Sequence, residues 1–450
     1  MPCCCCCCCC CCCVGVKVVS RVGGTRAGGA AVGGWIRMDV GGLAAQVDEA
    51  VSFLGSDQRP DVREYAADVV WQLVGALGDE VGHEVCAGAV GKCIPGLARL
   101  LRDPECPGAR VPAASALVNI SACHGAGLRA AVRDSRAGEA AFAVLTEAAL
   151  ERDPEPHEAL CLKLLANLTI DKDGVQALLG CVRKTASADS DPEGADAEAD
   201  ENADYGEADQ ARLEALLHLA CLVADEAPLA VGGEQWGEVP TWERLPVEET
   251  AEGVEREVPR CCVPLADGAA AEGPMRFEDA GSVLANCSAH SRAFRDGLLD
   301  DIVGPDGGEG LVRRLAPLVF LTRHPGVAQG VARTLMNCCM EADDVGKCPN
   351  AATLADEDTG WMRLAAHRIA LPGAALRRSL VADCLMDALE LMAQFPEGRK
   401  SMRRAKLYPS LRDAYTEDNE GASYTQRCRE AMEKVAHFIT MVDDGDGGKG

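Results

Sequence analysis

Ser115-Ala116-Leu117-Val118-Asn119-Ile120-Ser121 returns as Lys163-Leu164-Leu165-Ala166-Asn167-Leu168-Thr169, as Ser282-Val283-Leu284-Ala285-Asn286-Cys287-Ser288 and as Arg333-Thr334-Leu335-Met336-Asn337-Cys338-Cys339. Weaker copies without the Asn stand at Asp68-Val69-Val70-Trp71-Gln72-Leu73-Val74, Met386-Asp387-Ala388-Leu389-Glu390-Leu391-Met392 and Arg429-Glu430-Ala431-Met432-Glu433-Lys434-Val435. Aligned on Gln72, Asn119, Asn167, Asn286, Asn337, Glu390 and Lys434, successive copies lie 47, 48, 119, 51, 53 and 44 residues apart. The apolar spacing i, i+3, i+4 makes each copy a helix, and its Ala and Leu on nearly all sides make it a helix buried between neighbours.

A period of roughly 40 to 50 residues is that of armadillo and HEAT units, which bury their apolar faces only by stacking on one another. Five of the six steps fit. The fold expected is therefore all-α, an armadillo/HEAT-like right-handed helical solenoid with a disordered acidic insertion. Composition agrees: 48 % of residues are hydrophobic but only 4 % aromatic, so burial rests on Ala, Leu, Val and Cys, which suits helices better than aromatic-rich strands. Within each unit an opening helix is expected near a Pro and charged neighbours, as at Arg59-Pro60-Asp61 and Arg323-His324-Pro325, since a proline at a helix start gives up only an N–H that has no partner there.

The step of 119 marks an interruption. Thr185 to Asp209 holds ten acidic residues and no basic one, and Asp225 to Pro259 holds ten more against Arg244 and Arg256. Such stretches bury too little apolar area to offset their ordering entropy and self-repulsion, so both are expected to be disordered. Ala211 to Ala224 between them reads as a helix that docks. The expected organisation is a leader at 1–37, repeats at 38–184, the insertion at 185–278, repeats at 279–442 and a flexible tail at 443–450.

Eleven of the 26 cysteines form the run Cys3 to Cys13, and the others appear singly or as the pairs Cys261-Cys262 and Cys338-Cys339. No C-x-x-C pair recurs at zinc-ligand spacing, so these read as reduced core thiols. The leader is glycine-rich, basic and free of acids up to Arg37. A targeting leader and a metal-binding thiol cluster are two readings of such a composition. Met38, which opens an ordinary acidic amphipathic stretch, reads as the biological start.

A net charge of −26 repels phosphate backbones and anionic lipid, which sets nucleic acid and membrane surfaces aside as partners. No phosphate loop, nucleophile elbow or H-E-x-x-H helix is present, and the eight histidines are scattered, so no catalytic residue, metal site or cofactor is assigned. The Asn ladder is the functional clue. Asn119, Asn167, Asn286 and Asn337, with Lys163 and Arg333 four residues before two of them, are the candidate partner-binding residues. In one role each Asn hydrogen-bonds the backbone of an extended segment lying in a concave groove; in the other it bridges adjacent repeats internally. The residues alone leave both open. Asn119-Ile120-Ser121, Asn167-Leu168-Thr169 and Asn286-Cys287-Ser288 also match the glycosylation sequon, a match read as chance in buried helices. A nuclear-import adaptor would carry Trp four residues before each Asn; here stand Ser115, Lys163, Ser282 and Arg333, and the two bases would repel basic cargo.

Ala280-Gly281-Ser282-Val283-Leu284-Ala285-Asn286-Cys287-Ser288 with Arg292-Ala293-Phe294, Arg313-Arg314-Leu315-Ala316-Pro317-Leu318 and the helix ending Asn337-Cys338-Cys339 resembles the HGH-one homologues. Phe53-Leu54 with Arg59-Pro60-Asp61-Val62-Arg63, and the segments Gly398-Arg399 to Leu411-Arg412 and Cys428-Arg429-Glu430-Ala431, are similar too. The resemblance spans most of Met38 to Asp444 outside the insertion. It implies a cytoplasmic armadillo-repeat adaptor that binds newly made translation elongation factor 2 and delivers it to the cytosolic ring chaperonin. Where that family carries an acidic run followed by Leu-Pro and Asp-Leu-Gln-Tyr-Leu, this chain has Leu354-Ala355-Asp356-Glu357-Asp358, so only the acidic start is shared. A general armadillo interaction scaffold or import-type adaptor is the alternative, and an enzyme with dispersed catalytic residues the reading from a different class.

Overall fold

The computed structural model describes residues 40–77, 84–122, 126–148, 156–179, 216–217, 219–220, 242–244, 257–259, 279–299, 311–320, 325–340, 354–355, 360–370, 380–418 and 424–441. The cysteine run, Met38 and the closing glycine-rich tail lie outside them. Val40–Gly450 forms one compact unit. Among the described residues it is all-α apart from one pair of three-residue strands.

Seven helices carry the repeated segment: α2 (Pro60–Leu77), α4 (Arg110–Ala122), α7 (Pro156–Leu168), α9 (Ala280–His290), α12 (Pro325–Cys339), α14 (Leu380–Ala393) and α17 (Gln426–Thr440). Each packs on the next, α2 on α4, then α7, α9, α12, α14 and α17, as one continuous inner stack. Their Ala-rich sequences let the axes approach, and Val70, Leu117, Leu164, Leu165, Val283, Leu284, Val331, Leu385 and Val435 fill the seams. At the α9–α12 seam the backbones touch: a Cβ on Gly330 would stand 2.2 Å from the carbonyl carbon and oxygen of Gly281.

The prolines behave differently from expectation. Pro60, Pro156 and Pro325 open α2, α7 and α12 themselves, so the Pro start and the repeated segment belong to one helix and not to two. The fixed proline φ suits the first turn, after which the apolar pattern runs on uninterrupted.

Outer helices cover the stack: α1 (Val40–Val51), α3 (Glu84–Leu100), α5 (Ala126–Asp134), α6 (Ala137–Ala148), α8 (Lys172–Leu179), α10 (Arg292–Leu299), α11 (Leu311–Leu315), α13 (Trp361–Ala370), α15 (Pro396–Arg404) and α16 (Leu407–Asp418). Short amphipathic helices α5, α8, α10 and α15 turn back from the ends of inner helices. An arginine of three of them closes the turn, Arg129 Nε donating to Ser121 O (3.3 Å), Arg295 Nη1 to Ser288 O (2.6 Å) and Arg399 Nη1 to Ala393 O (3.0 Å). A cation on the last carbonyls satisfies acceptors that the helix leaves open and meets the negative end of its dipole.

Asn286 of α9 donates to Ala166 and Thr169 of α7, so the step of 119 residues is a single repeat step with the insertion carried between its helices. Within it Leu216, Leu217, Leu219 and Ala220 are helical and buried. Leu217 packs on Gly297 of α10, where a Cβ would come within 2.8 Å of Leu217 Cδ1. These four residues fall within the stretch Ala211 to Ala224 where a docking helix is expected, and the rest of that stretch lies outside the described residues. The second acidic stretch departs from expectation: Trp242–Arg244 (β1) and Glu257–Pro259 (β2) pair antiparallel, with Trp242 opposite Pro259 and Arg244 opposite Glu257. Antiparallel pairing of two such short strands needs only matched cross-strand neighbours, such as Arg244 opposite Glu257, which net acidity does not forbid.

Candidate functional site: the asparagine face of the inner stack

Three of the four ladder asparagines, Asn167, Asn286 and Asn337, reach back to the preceding inner helix in the same way. Asn167 Nδ2 donates to Val118 O (3.3 Å) and Ser121 Oγ (3.0 Å). Asn286 Nδ2 donates to Ala166 O (3.2 Å) and Thr169 Oγ1 (3.2 Å), and Asn337 Nδ2 to Ala285 O (2.9 Å) and Ser288 Oγ (2.9 Å). The acceptors are always the carbonyl one residue before the previous Asn and the hydroxyl two residues after it. That hydroxyl in turn donates within its own helix, Ser121 to Val118 O, Thr169 to Leu165 O and Ser288 to Ala285 O.

The geometry decides between the two roles left open for these asparagines and corrects the reading of the sequon match as chance. The asparagine N–H groups serve the internal bridge, because a carbonyl can only accept and so fixes the amide with nitrogen inward. They are not donors to a bound segment. The sequon-like strings also have a structural cause: the Ser or Thr of one repeat is the acceptor for the Asn of the next. The pattern ends where both halves are lost together, at Cys339 and Glu390.

The amide oxygens are left over. No donor reaches Oδ1 of Asn167, Asn286 or Asn337 among the described residues; Asn167 and Asn286 are half-buried, whereas Asn337 is buried, so the free acceptors are most open at the first two. Asn119 is half-buried in α4. Beyond the ladder, ion pairs replace the amides. Lys434 Nζ of α17 donates to Glu390 of α14 at 2.7 Å, and Arg427 Nη2 to Asp387 at 2.6 Å. Glu390 and Lys434 are the positions that the sequence alignment equated with the asparagines. Partial burial raises the Asp387 carboxyl above the usual range, with Arg427 opposing. The hydrogen bond to Glu390 holds the Lys434 ammonium above its ordinary value.

Lys163 and Arg333 are exposed on α7 and α12. Ile170 and Met340, three residues beyond Asn167 and Asn337, are large apolar side chains left 43 % and 52 % exposed. Sequence reasoning missed these two. Their signal was their place just past the repeated segment.

The nine described cysteines are buried and in no disulfide, as core thiols should be. Burial pushes the Cys93, Cys161, Cys287 and Cys338 thiols up to about 12, which removes their nucleophilicity at neutral pH. In the segment where the chain departs from the family pattern, buried Trp361 donates Nε1–H to Leu354 O at 2.6 Å. Among the described residues no helix is long and apolar enough to cross a membrane.

No protein-family model matches the chain and no curated protein matches it. Among solved structures it is similar to a chain from a study of a phosphorylation switch controlling the interaction between cadherin and beta-catenin. The identity is 11 % and the TM-score 0.32, over 89 % of this chain and 90 % of that one. A likeness of that level carries no argument about fold or role.

Proposed function

We propose that this protein is a non-enzymatic binding protein, an armadillo-type right-handed solenoid whose inner stack holds an extended segment of a protein partner. The observation that carries the reading is the row of Oδ1 atoms on Asn167, Asn286 and Asn337 that no donor reaches among the described residues, each amide held in place by the hydrogen bonds of its Nδ2. A preformed row of acceptors binds backbone N–H groups at regular intervals with little ordering cost to the protein, and it requires no nucleotide.

The resemblance to the HGH-one homologues supplies the partner: newly made translation elongation factor 2, bound in the cytoplasm and passed to the cytosolic ring chaperonin. Release then comes from the chaperonin or from folding of the client. The import-adaptor reading is disfavoured by exposed Lys163 and Arg333 where basic cargo would sit. Capture from eukaryotic lysate with the tagged chain, followed by mass spectrometry, tests the proposal. Recovery of elongation factor 2 together with chaperonin subunits supports it. Specific recovery of import receptors or junction components in their place would refute the assignment of client.

A further inference from the structure

The four ladder helices differ in charge from the chain that contains them. The protein has 70 acidic and 44 basic residues, yet α4, α7, α9 and α12 together hold one acid, Glu158, which is 2 % exposed. Their bases are Arg110, Lys163 and Arg333. Lys163 and Arg333 are exposed and form no ion pair among the described residues, whereas Lys92, Arg427 and Lys434 elsewhere are paired. The carboxylates of the neighbouring helix α14 are engaged: Asp383 accepts from Thr425, Asp387 from Arg427 and Glu390 from Lys434.

The same face also alternates in size. Reading the positions four before the Asn, the Asn, and three after it, α4 gives Ser115, Asn119 and Ala122, and α9 gives Ser282, Asn286 and Ala289. Between and after them α7 gives Lys163, Asn167 and Ile170, and α12 gives Arg333, Asn337 and Met340. Every second repeat thus offers a cation, an outward amide oxygen and an exposed apolar side chain, separated by a repeat of small residues. Lys163 and Asn167, like Arg333 and Asn337, stand four residues apart on one helix face, and Ile170 and Met340 follow just past the helix ends at Leu168 and Cys339.

Resting on the proposed function, we infer that this face selects an acidic extended segment of the partner, one carrying two carboxylate–apolar pairs. One pair lies against Lys163 and Ile170, the other against Arg333 and Met340. Packed helices sit roughly 8–10 Å apart, so two steps of the stack cover roughly 16–20 Å, which an extended chain spans in about six residues. Residues an even number apart point the same way, so both carboxylates reach the basic side of the face. Adjacent residues point oppositely, which puts each apolar side chain on the Ile170 and Met340 side. Asn167 and Asn337 accept backbone N–H groups between them.

The test uses the full chain and two fluorescent peptides read by anisotropy. Each peptide has two charged–Leu pairs at the spacing of about six residues, with Glu as the charge in one and Lys in the other. The Glu peptide should bind about tenfold more tightly than the Lys peptide, and the Lys163→Glu/Arg333→Glu variant should invert the preference. Equal affinities, or a preference that the reversal does not move, overturn the inference. Both side chains are exposed, and far-UV circular dichroism checks that the variant keeps its helix content. Capture of elongation factor 2 is scored in parallel. Capture without charge preference overturns acidic selection alone, and charge preference without capture overturns the client assignment alone.

Discussion

Asn337→Asp separates the two faces of a ladder asparagine. The side chain is 4 % exposed, and its Nδ2 makes bonds of 2.9 Å to Ala285 O and 2.9 Å to Ser288 Oγ. Aspartate keeps an outward oxygen but loses both donors and sets a carboxylate oxygen against a carbonyl. Asn337→Ala removes two neutral hydrogen bonds, each contributing about 0.5–1.5 kcal/mol net, so it should destabilise by about 1–3 kcal/mol. The aspartate adds an uncompensated buried charge and should destabilise by about 3–5 kcal/mol at neutral pH. Burial beside a carbonyl would raise the folded-state pKa of that carboxyl. The Asp variant should therefore regain stability as pH falls toward about 4, where the unfolded carboxyl also protonates. Urea titration followed by circular dichroism at pH 7 and at lower pH reads both effects. Identical stability of the wild type, Ala and Asp forms would refute the assignment of the amide to the repeat seam.

Gly330→Ala should destabilise by about 3 kcal/mol, since its Cβ meets the Gly281 backbone at 2.2 Å, which no rotamer change relieves. Gly75→Ala in α2, with nothing within 4 Å of its Cβ, should instead stabilise by about 0.5–1 kcal/mol, and thermal melts of both variants read the contrast. Arg63→Ala should cost about 2–4 kcal/mol by chemical denaturation. The buried guanidinium pairs with Asp103, itself 11 % exposed, and with the exposed Glu105, and its loss leaves the Asp103 charge without compensation. The thiols of Cys287 and Cys338, raised from an ordinary 9.0 to about 12, stay protonated in the folded chain while the unfolded chain ionises. Their contribution to stability is full below about pH 9 and falls as pH rises toward about 12. Alkylation by iodoacetamide near pH 9, mapped by peptide mass spectrometry, should spare both residues until denaturant is added; rapid modification of either in the native chain would contradict their burial.

The inner helices were legible because burial between repeats leaves an Ala- and Leu-rich trace at a constant interval, with Gln72, the four asparagines, Glu390 and Lys434 as register marks. Lys434 and Glu390, placed in register by spacing alone, are in contact at 2.7 Å. The interruption was legible too, as the one step that breaks the interval. The direction of each asparagine was not, because its acceptors lie 46 to 120 residues away in the chain and local pattern carries no information about which neighbour a side chain meets.

Amino-acid order by itself therefore determined helix type, repeat length, the place of the insertion and the burial of the thiols, all of which follow from local periodicity and side-chain transfer energies. Tertiary structure decided what order alone left open. It decided that the N–H groups of Asn167, Asn286 and Asn337 turn inward, that Gly281 and Gly330 meet backbone to backbone, and that β1 and β2 pair inside an acidic stretch. It also left Lys163 and Arg333 without an ion pair among the described residues. Each of these depends on which distant residues come within a few ångströms, and that is set by how whole repeats stack.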